Sequence, residues 1–304
     1  MRRFLACLIV LPALLTLSLS APRAFAQSKL TTVQLSFTTI DVPGAAVNGA
    51  YGINRAGDVV GYFVQGVNSM HKHGFLYRGG NFTQIDYPGA SSTFAYGIND
   101  SGLMTGSAEF SGGATALGFT YDQTNFTPIV IKGKSTTITY AIDNTNDLVG
   151  GAGTLYTTKG FELVGGQSQT LKVPGAYVYV FASGINNLDT IVGWADSSGF
   201  ICRQSSCRIL NISGANQTAA RGLNDGGMIV GWYTVPGGCA CAFAMLNGKT
   251  LSFKYPGAQF TAAAAINALG QIVGQYTFDF QTYHGFITSP ITTADFVGAA
   301  SDSP

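Results

Sequence analysis

The phrase YGINRAGDVVG at residues 51–61 returns as YGINDSGLMTG at 96–106, and four weaker copies follow it. Aligned on its aliphatic residue, the phrase falls at Ile53, Ile98, Ile142, Ile185, Leu223 and Ile266, in steps of 45, 44, 43, 38 and 43 residues. Two further landmarks keep the same step. One is a glycine at Gly61, Gly106, Gly150, Gly193, Gly231 and Gly274. The other is a turn at Pro43-Gly44, Pro88-Gly89, Pro174-Gly175 and Pro256-Gly257, which becomes Lys132-Gly133 and Ser213-Gly214 in the other two copies. Such a period restricts the chain to stacked repeats, because a unit of about 40 residues cannot bury its apolar face alone.

Within a copy the pattern is four short strands: AYGIN, DVVGYF, GFLYR and FTQIDYPG in the first. Asn54 and Gly57 occupy the first and fourth places of a type I turn, so the phrase is a hairpin and its Asn and Gly serve backbone geometry. Six four-stranded units predict an all-β fold, a single six-bladed β-propeller of antiparallel blades. The repeats run at about 45–89, 90–133, 134–175, 176–214, 215–257 and 258–290, and residues 291–304 read as a flexible tail. Copy six stops after its third strand, whereas the orphan LSFTTIDVPG at 35–44 matches a fourth strand. The segment 33–44 is therefore expected to complete the last blade and close the ring. Asp41, Asp86, Lys172, Asn211 and Lys254 share one fourth-strand position and are expected to be solvated edge residues that discourage edge pairing.

Residues 1–26 read as a cleaved signal peptide: Arg2 and Arg3, an apolar run, and Ala24-Phe25-Ala26 at the cleavage site. A secreted or periplasmic protein without a membrane span follows as the expectation. Without Arg2, Arg3 and Arg23 the chain keeps 13 basic residues against 15 acidic, a charge of −2 that argues against a nucleic-acid partner. The later cysteines, Cys202, Cys207, Cys239 and Cys241, are even in number, and disulfides are their default state in an exported chain. Cys202 and Cys207 span the turn between strands three and four of copy four and form the expected bridge. An extended Cys239-x-Cys241 pair sits near the upper separation for bridging, leaving it strained, free, or paired to copy four.

The third strand opens with His-Gly-Phe at 73–75 and again at 284–286, varied as LGF at 117–119, KGF at 159–161, SGF at 198–200 and CAF at 241–243. Together with the GIN-x-x-G phrase, this resembles the HAF family of extracellular repeat proteins, named for His-Ala-Phe. The resemblance covers all six copies, about residues 36–290. It implies an exported bacterial repeat protein and no established reaction or ligand. Two copies of six keep the histidine, so it assigns no catalytic residue.

The sequence names no catalytic set, no cofactor fingerprint and no metal site. Glu occurs twice, at Glu109 and Glu162, G-x-S-x-G is missing, and no carboxylate pair stands out for glycoside hydrolysis. What changes between copies is aromatic. The residue after the second-strand glycine is Tyr62, Ser107, Gly151, Trp194, Trp232 and Gln275, and either indole could fill a gap or stack on a ligand. Loops between strands two and three are longest in copies one, five and six. They point to a ligand sector made by Tyr62, His71, His73, Trp232, Tyr233, Tyr276, Phe278, Tyr283 and His284. The function expected is a non-catalytic scaffold binding an extracellular polysaccharide or protein. A carbohydrate-active enzyme on the same fold and a structural envelope or matrix protein are the alternatives.

Overall fold

Six times, a glycine in one strand lies opposite a phenylalanine in the next: Gly61 and Phe75, Gly106 and Phe119, Gly150 and Phe161, Gly193 and Phe200, Gly231 and Phe243, Gly274 and Phe286. Each phenylalanine is at most 2% exposed. A Cβ on any of these glycines would run into the main-chain oxygen of the preceding strand and into the phenylalanine ring. The missing side chain is what lets the ring lie over the strand. Two sequence landmarks, the second-strand glycine and the third-strand Gly-Phe, are thus one packing unit.

The structure, a computed structural model, describes residues 30–66, 69, 71–110, 115–154, 157–175, 177–204, 206–238 and 240–299. The expected leader and Cys239 lie outside them. The described chain is all-β apart from a short 3-10 turn at Thr293–Phe296. Copies one to four each form a separate antiparallel four-stranded sheet in sequence order. In copy one the strands are Ala45–Ile53, Val59–Gln65, His73–Arg78 and Asn81–Ile85. Copies five and six share a nine-stranded sheet, joined by a parallel register of Ala240 with Phe260. Its copy-six part ends with Phe37–Ile40 paired antiparallel to His284–Thr288, the pairing that the orphan segment foretold. Thr31–Thr32 adds a parallel strand beside Lys249–Phe253 that the repeat pattern gave no sign of.

Apolar side chains fill the spaces between successive copies. Val60, Leu76 and Ile85 of copy one pack with Ala95, Ile98 and Met104 of copy two. Val273 and Ile287 of copy six, with Ile40, pack with Ala50, Ile53 and Phe75 of copy one. In five copies the turn before the first strand is pinned by a buried acceptor: Asn48 Oδ1 takes the Val42 N–H, and Thr93, Thr137, Thr218 and Thr261 take those of Tyr87, Ile131, Ile212 and Tyr255.

The asparagine of the repeated phrase does more than shape a turn. Its Oδ1 accepts main-chain N–H groups within its own hairpin, as Asn186 does from Leu188 and Thr190. Its Nδ2 donates to the next copy, from Asn54 to the Asn99 oxygen, Asn99 to Asp143, Asn186 to Asn224, Asn224 to Asn267, and Asn267 back to Asn54. An amide has both an acceptor and a donor, and both are used.

Two expectations need correcting. Within the expected tail, residues 291–299 are packed rather than loose: Ile291, Phe296 and Ala299 are buried in the core of the nine-stranded sheet, and Lys249 Nζ donates to the Phe296 oxygen. These apolar anchors hold them down. Nor are Asp41 and Asp86 simple solvated edge residues. Asp41 pairs with His284 at 2.6 Å and Asp86 with His73 at 2.8 Å, each between a fourth strand and the start of its third-strand partner. At the same position Asn211 accepts from the Gly199 N–H. The two copies that carry histidine are the two that carry the facing aspartate.

Candidate functional site

The first strand of every copy slips register by one residue against the second. The residue left over is Tyr51, Tyr96, Tyr140, Ser183, Arg221 or Ala264. A β-bulge turns its extra residue out of the alternation of the strand. These six bulged residues line one cavity of about 100 Å³ to which all six copies contribute. Ile53, Ile98, Ile142, Ile185, Leu223 and Ile266 form an aliphatic collar that borders this cavity and a second of about 90 Å³ at the Asn54 end. The backbone positions beside the bulge are small because space is short: a Cβ on Gly52 would press on the Tyr96 main-chain oxygen at 2.8 Å, and one on Gly222 on the Ala264 oxygen at 2.8 Å.

The tyrosine end of this axis is aromatic. Tyr51 meets Tyr96 edge-on at 5.5 Å, Tyr96 meets Tyr140 at 4.9 Å, and Tyr140 meets Phe181 at 5.9 Å. Around them Tyr62 stacks on Tyr51 at 5.4 Å, Phe94 on Tyr96 at 5.5 Å and Trp194 on Phe181 at 4.6 Å. Size alternates across the first two strands, with Gly49 facing Tyr62, Phe94 facing Ser107 and Ala219 facing Trp232. Only Phe181 and Trp194 are large on both sides, and they stack.

Arg221 stands opposite the tyrosines, between the small Ser183 and Ala264 in copy order. Its guanidinium lies 6.0 Å from the centres of both the Tyr51 and Tyr140 rings. Among the described residues it makes no hydrogen bond and joins none of the three ion pairs. Burial raises the Tyr51 and Tyr96 phenols well above their usual range and that of Tyr140 above it, although the charge of Arg221 pulls the other way. The phenols therefore stay protonated and cannot neutralise the cation. Glu109 is felt by Tyr140 but is not paired with Arg221. Lys72 stands over Phe94 at 5.1 Å.

The nine residues expected from the loops do not form one surface. Tyr62 belongs to the axial aromatic group. Trp232 is half-buried against Phe260 of the next copy at 6.0 Å, so it packs between copies. Tyr233 and Tyr276, the next or equivalent residues along their strands, point to the opposite sheet face and are buried, 5% and 3% exposed. Tyr233 Oη bonds Ser252, and Tyr276 stacks on Tyr255 at 3.6 Å and donates to or accepts from Thr39. Phe278 is exposed beside Tyr276 and His284. His71 Nδ1 meets the Ser91 oxygen, His73 and His284 are held by Asp86 and Asp41, and the Tyr283 main-chain oxygen accepts from Asn48. Of the cysteines, Cys202 and Cys207 are bridged as expected. Cys241 is also disulfide-bonded, and since the copy-four pair is closed on itself, the cross-copy pairing is excluded.

The sequence-based reading missed Tyr96, Tyr140, Ser183 and Arg221. Their signal was the letter before the constant phrase, which reads Y, Y, Y, S, R and A across the copies.

The sequence matches no protein-family model and no curated protein. Among solved structures it is similar to virginiamycin B lyase from Staphylococcus aureus, with a TM-score of 0.47 at 10% identity over 86% of this chain and 90% of that one. It is also similar to a putative gluconolactonase, with a TM-score of 0.46 at 10% identity over 86% and 94% of the two chains. YCF48 bound to D1 peptide gives a TM-score of 0.43 at 10% identity, over 86% and 98%. None of these names transfers to this chain. No helix among the described residues is long and apolar enough to cross a membrane.

Proposed function

We propose that the chain is an exported binding module, a six-bladed propeller closed by Phe37–Ile40, whose ligand is a glycan seated at the tyrosine end of the axis. Closure is supported by the pairing of Phe37–Ile40 with His284–Thr288 and by the Asn267 to Asn54 hydrogen bond. A disulfide between Cys202 and Cys207 is compatible with a secreted or periplasmic location. One observation carries the binding reading: six identical bulges aim six side chains into one cavity, and those side chains differ while the frame around them repeats. A ring used only for stability would fill its axis with one apolar residue type. Flat rings with protonated phenols suit a sugar, offering faces to its C–H surface and donors to its hydroxyls.

Retention of the full chain on a panel of immobilised extracellular polysaccharides tests this. Tyr96→Ala should lower affinity for whatever is retained by tenfold or more, with an unchanged far-ultraviolet spectrum. Retention unaffected by Tyr96→Ala would move the site away from the axis.

A further inference from the structure

Among the described residues, the cation that borders the axial cavity joins no ion pair. Arg221 is brought there by its bulge, its sequence-order neighbours Ser183 and Ala264 are too small to reach over it, and its guanidinium lies over the rings of Tyr51 and Tyr140, 6.0 Å from each centre. Cation–π attraction offsets part of the lost hydration, and it leaves the five N–H donors of the fork free. The phenols nearby are donors as well. Tyr51 gives its proton to Gln275 Oε1 at 3.2 Å, whereas Tyr96 and Tyr140 have no partner for theirs among the described residues. A guanidinium and two phenol O–H groups around one small space make a donor-rich cradle, beside the Ser183 hydroxyl that donates to the Phe181 main-chain oxygen at 3.4 Å, and what it lacks is an acceptor with negative charge.

We infer that this cavity takes the carboxylate of an acidic sugar, with the rest of the saccharide lying on the aromatic rim of Tyr62, Phe181 and Trp194. The inference rests on the axis being the binding site and narrows its ligand. Size supports the division of labour: about 100 Å³ holds a carboxylate and a water or two, not a pyranose ring. A planar carboxylate matches the planar guanidinium fork. Lys72 beside Phe94 adds a second cation at the rim, and Glu109 near Tyr140 is a carboxylate a ligand must avoid.

The test uses trigalacturonic acid, its methyl ester and sodium acetate as probes, titrated calorimetrically into the full chain and into Arg221→Gln, Arg221→Lys and Tyr96→Ala. The acid should bind at least tenfold more tightly than the ester. Arg221→Gln should erase that difference without lowering the melting temperature, and Arg221→Lys should keep part of it. Equal affinity for acid and ester, or a preference that survives Arg221→Gln, overturns the inference. If that shared affinity falls in Tyr96→Ala, the axis remains the binding site and only its acid selectivity is lost. Failure of the chain to bind either saccharide also overturns it. Acetate competing as well as the trisaccharide would also overturn it, because a free carboxylate would then be recognised and the sugar not.

Discussion

The inter-copy chain of asparagine hydrogen bonds has one missing link, and repairing it should stabilise the protein. Five Nδ2 groups reach the next copy's main-chain oxygen at 3.4, 3.0, 3.1, 3.2 and 3.1 Å, from Asn54, Asn99, Asn186, Asn224 and Asn267. Copy three has Asp143 at this place, which has no N–H to give to Asn186. Its Oδ1 already accepts from Thr145 and Asp147 as an asparagine would, so Asp143→Asn keeps the hairpin. The new amide adds one buried hydrogen bond, about 1 kcal/mol net. It also removes one charge from a group in which Asp143, Asp147 and Asp189 lie within 4.8 Å of one another, a relief of up to about 1 kcal/mol at a partly exposed site. A gain of about 1–2 kcal/mol corresponds to a melting temperature higher by roughly 2–8 °C for a domain of this size. Calorimetry in buffer with EDTA, so that no cation bridges the carboxylates, reads it directly. The reciprocal change, Asn224→Asp, should lose a similar amount. An unchanged or lower midpoint for Asp143→Asn would refute the idea that these amides bind neighbouring copies together.

Three further outcomes are expected. Gly106→Ala forces a Cβ against the Phe94 oxygen and the Phe119 ring, and should cost about 3 kcal/mol or more in denaturant unfolding; a loss under 1 kcal/mol would contradict the glycine–phenylalanine packing. In alkaline absorbance titration the Tyr51, Tyr96 and Tyr140 phenols should ionise late. Because burial raises their folded pKa values, the stability they contribute is complete below the ordinary phenol range near about 10 and is lost as pH climbs beyond it, so the late phase should coincide with unfolding. All phenols ionising together in the folded protein would refute this. Removing the Cys202–Cys207 bridge by double alanine substitution should cost about 2 kcal/mol from its short loop, and peptide mapping without reductant should recover the two cysteines linked.

The strands were legible because their signals are local. Alternation, Asn-x-x-Gly turns and Pro-Gly turns place the strands without tertiary information, and the orphan strand at 35–44 was found by likeness to its siblings. What escaped depends on contacts between copies. A bulge leaves no mark in composition, so Tyr96 and Arg221 read as ordinary strand residues. The His73–Asp86 and His284–Asp41 pairs were visible only as a co-occurrence at two positions, which a copy-by-copy comparison of strands three and four would have caught. The loop sector failed as one surface because adjacent residues in a strand, such as Trp232 and Tyr233, face opposite ways. Ile291, Phe296 and Ala299 anchor residues 291–299 without a strand period, too little pattern for a sequence to announce.

Whether recognition resides on the axis or in the loops is decided by comparing two variants against a polysaccharide that the full chain retains. One replaces the axial Tyr51, Tyr96 and Tyr140 by alanine, and the other replaces the exposed loop residues Phe278 and Phe280. Affinity electrophoresis of both, with circular dichroism to verify folding, gives the answer. The axial variant should lose a hundredfold or more in affinity while the loop variant stays within twofold of the parent; loss in the loop variant with the axial variant unaffected would contradict the account.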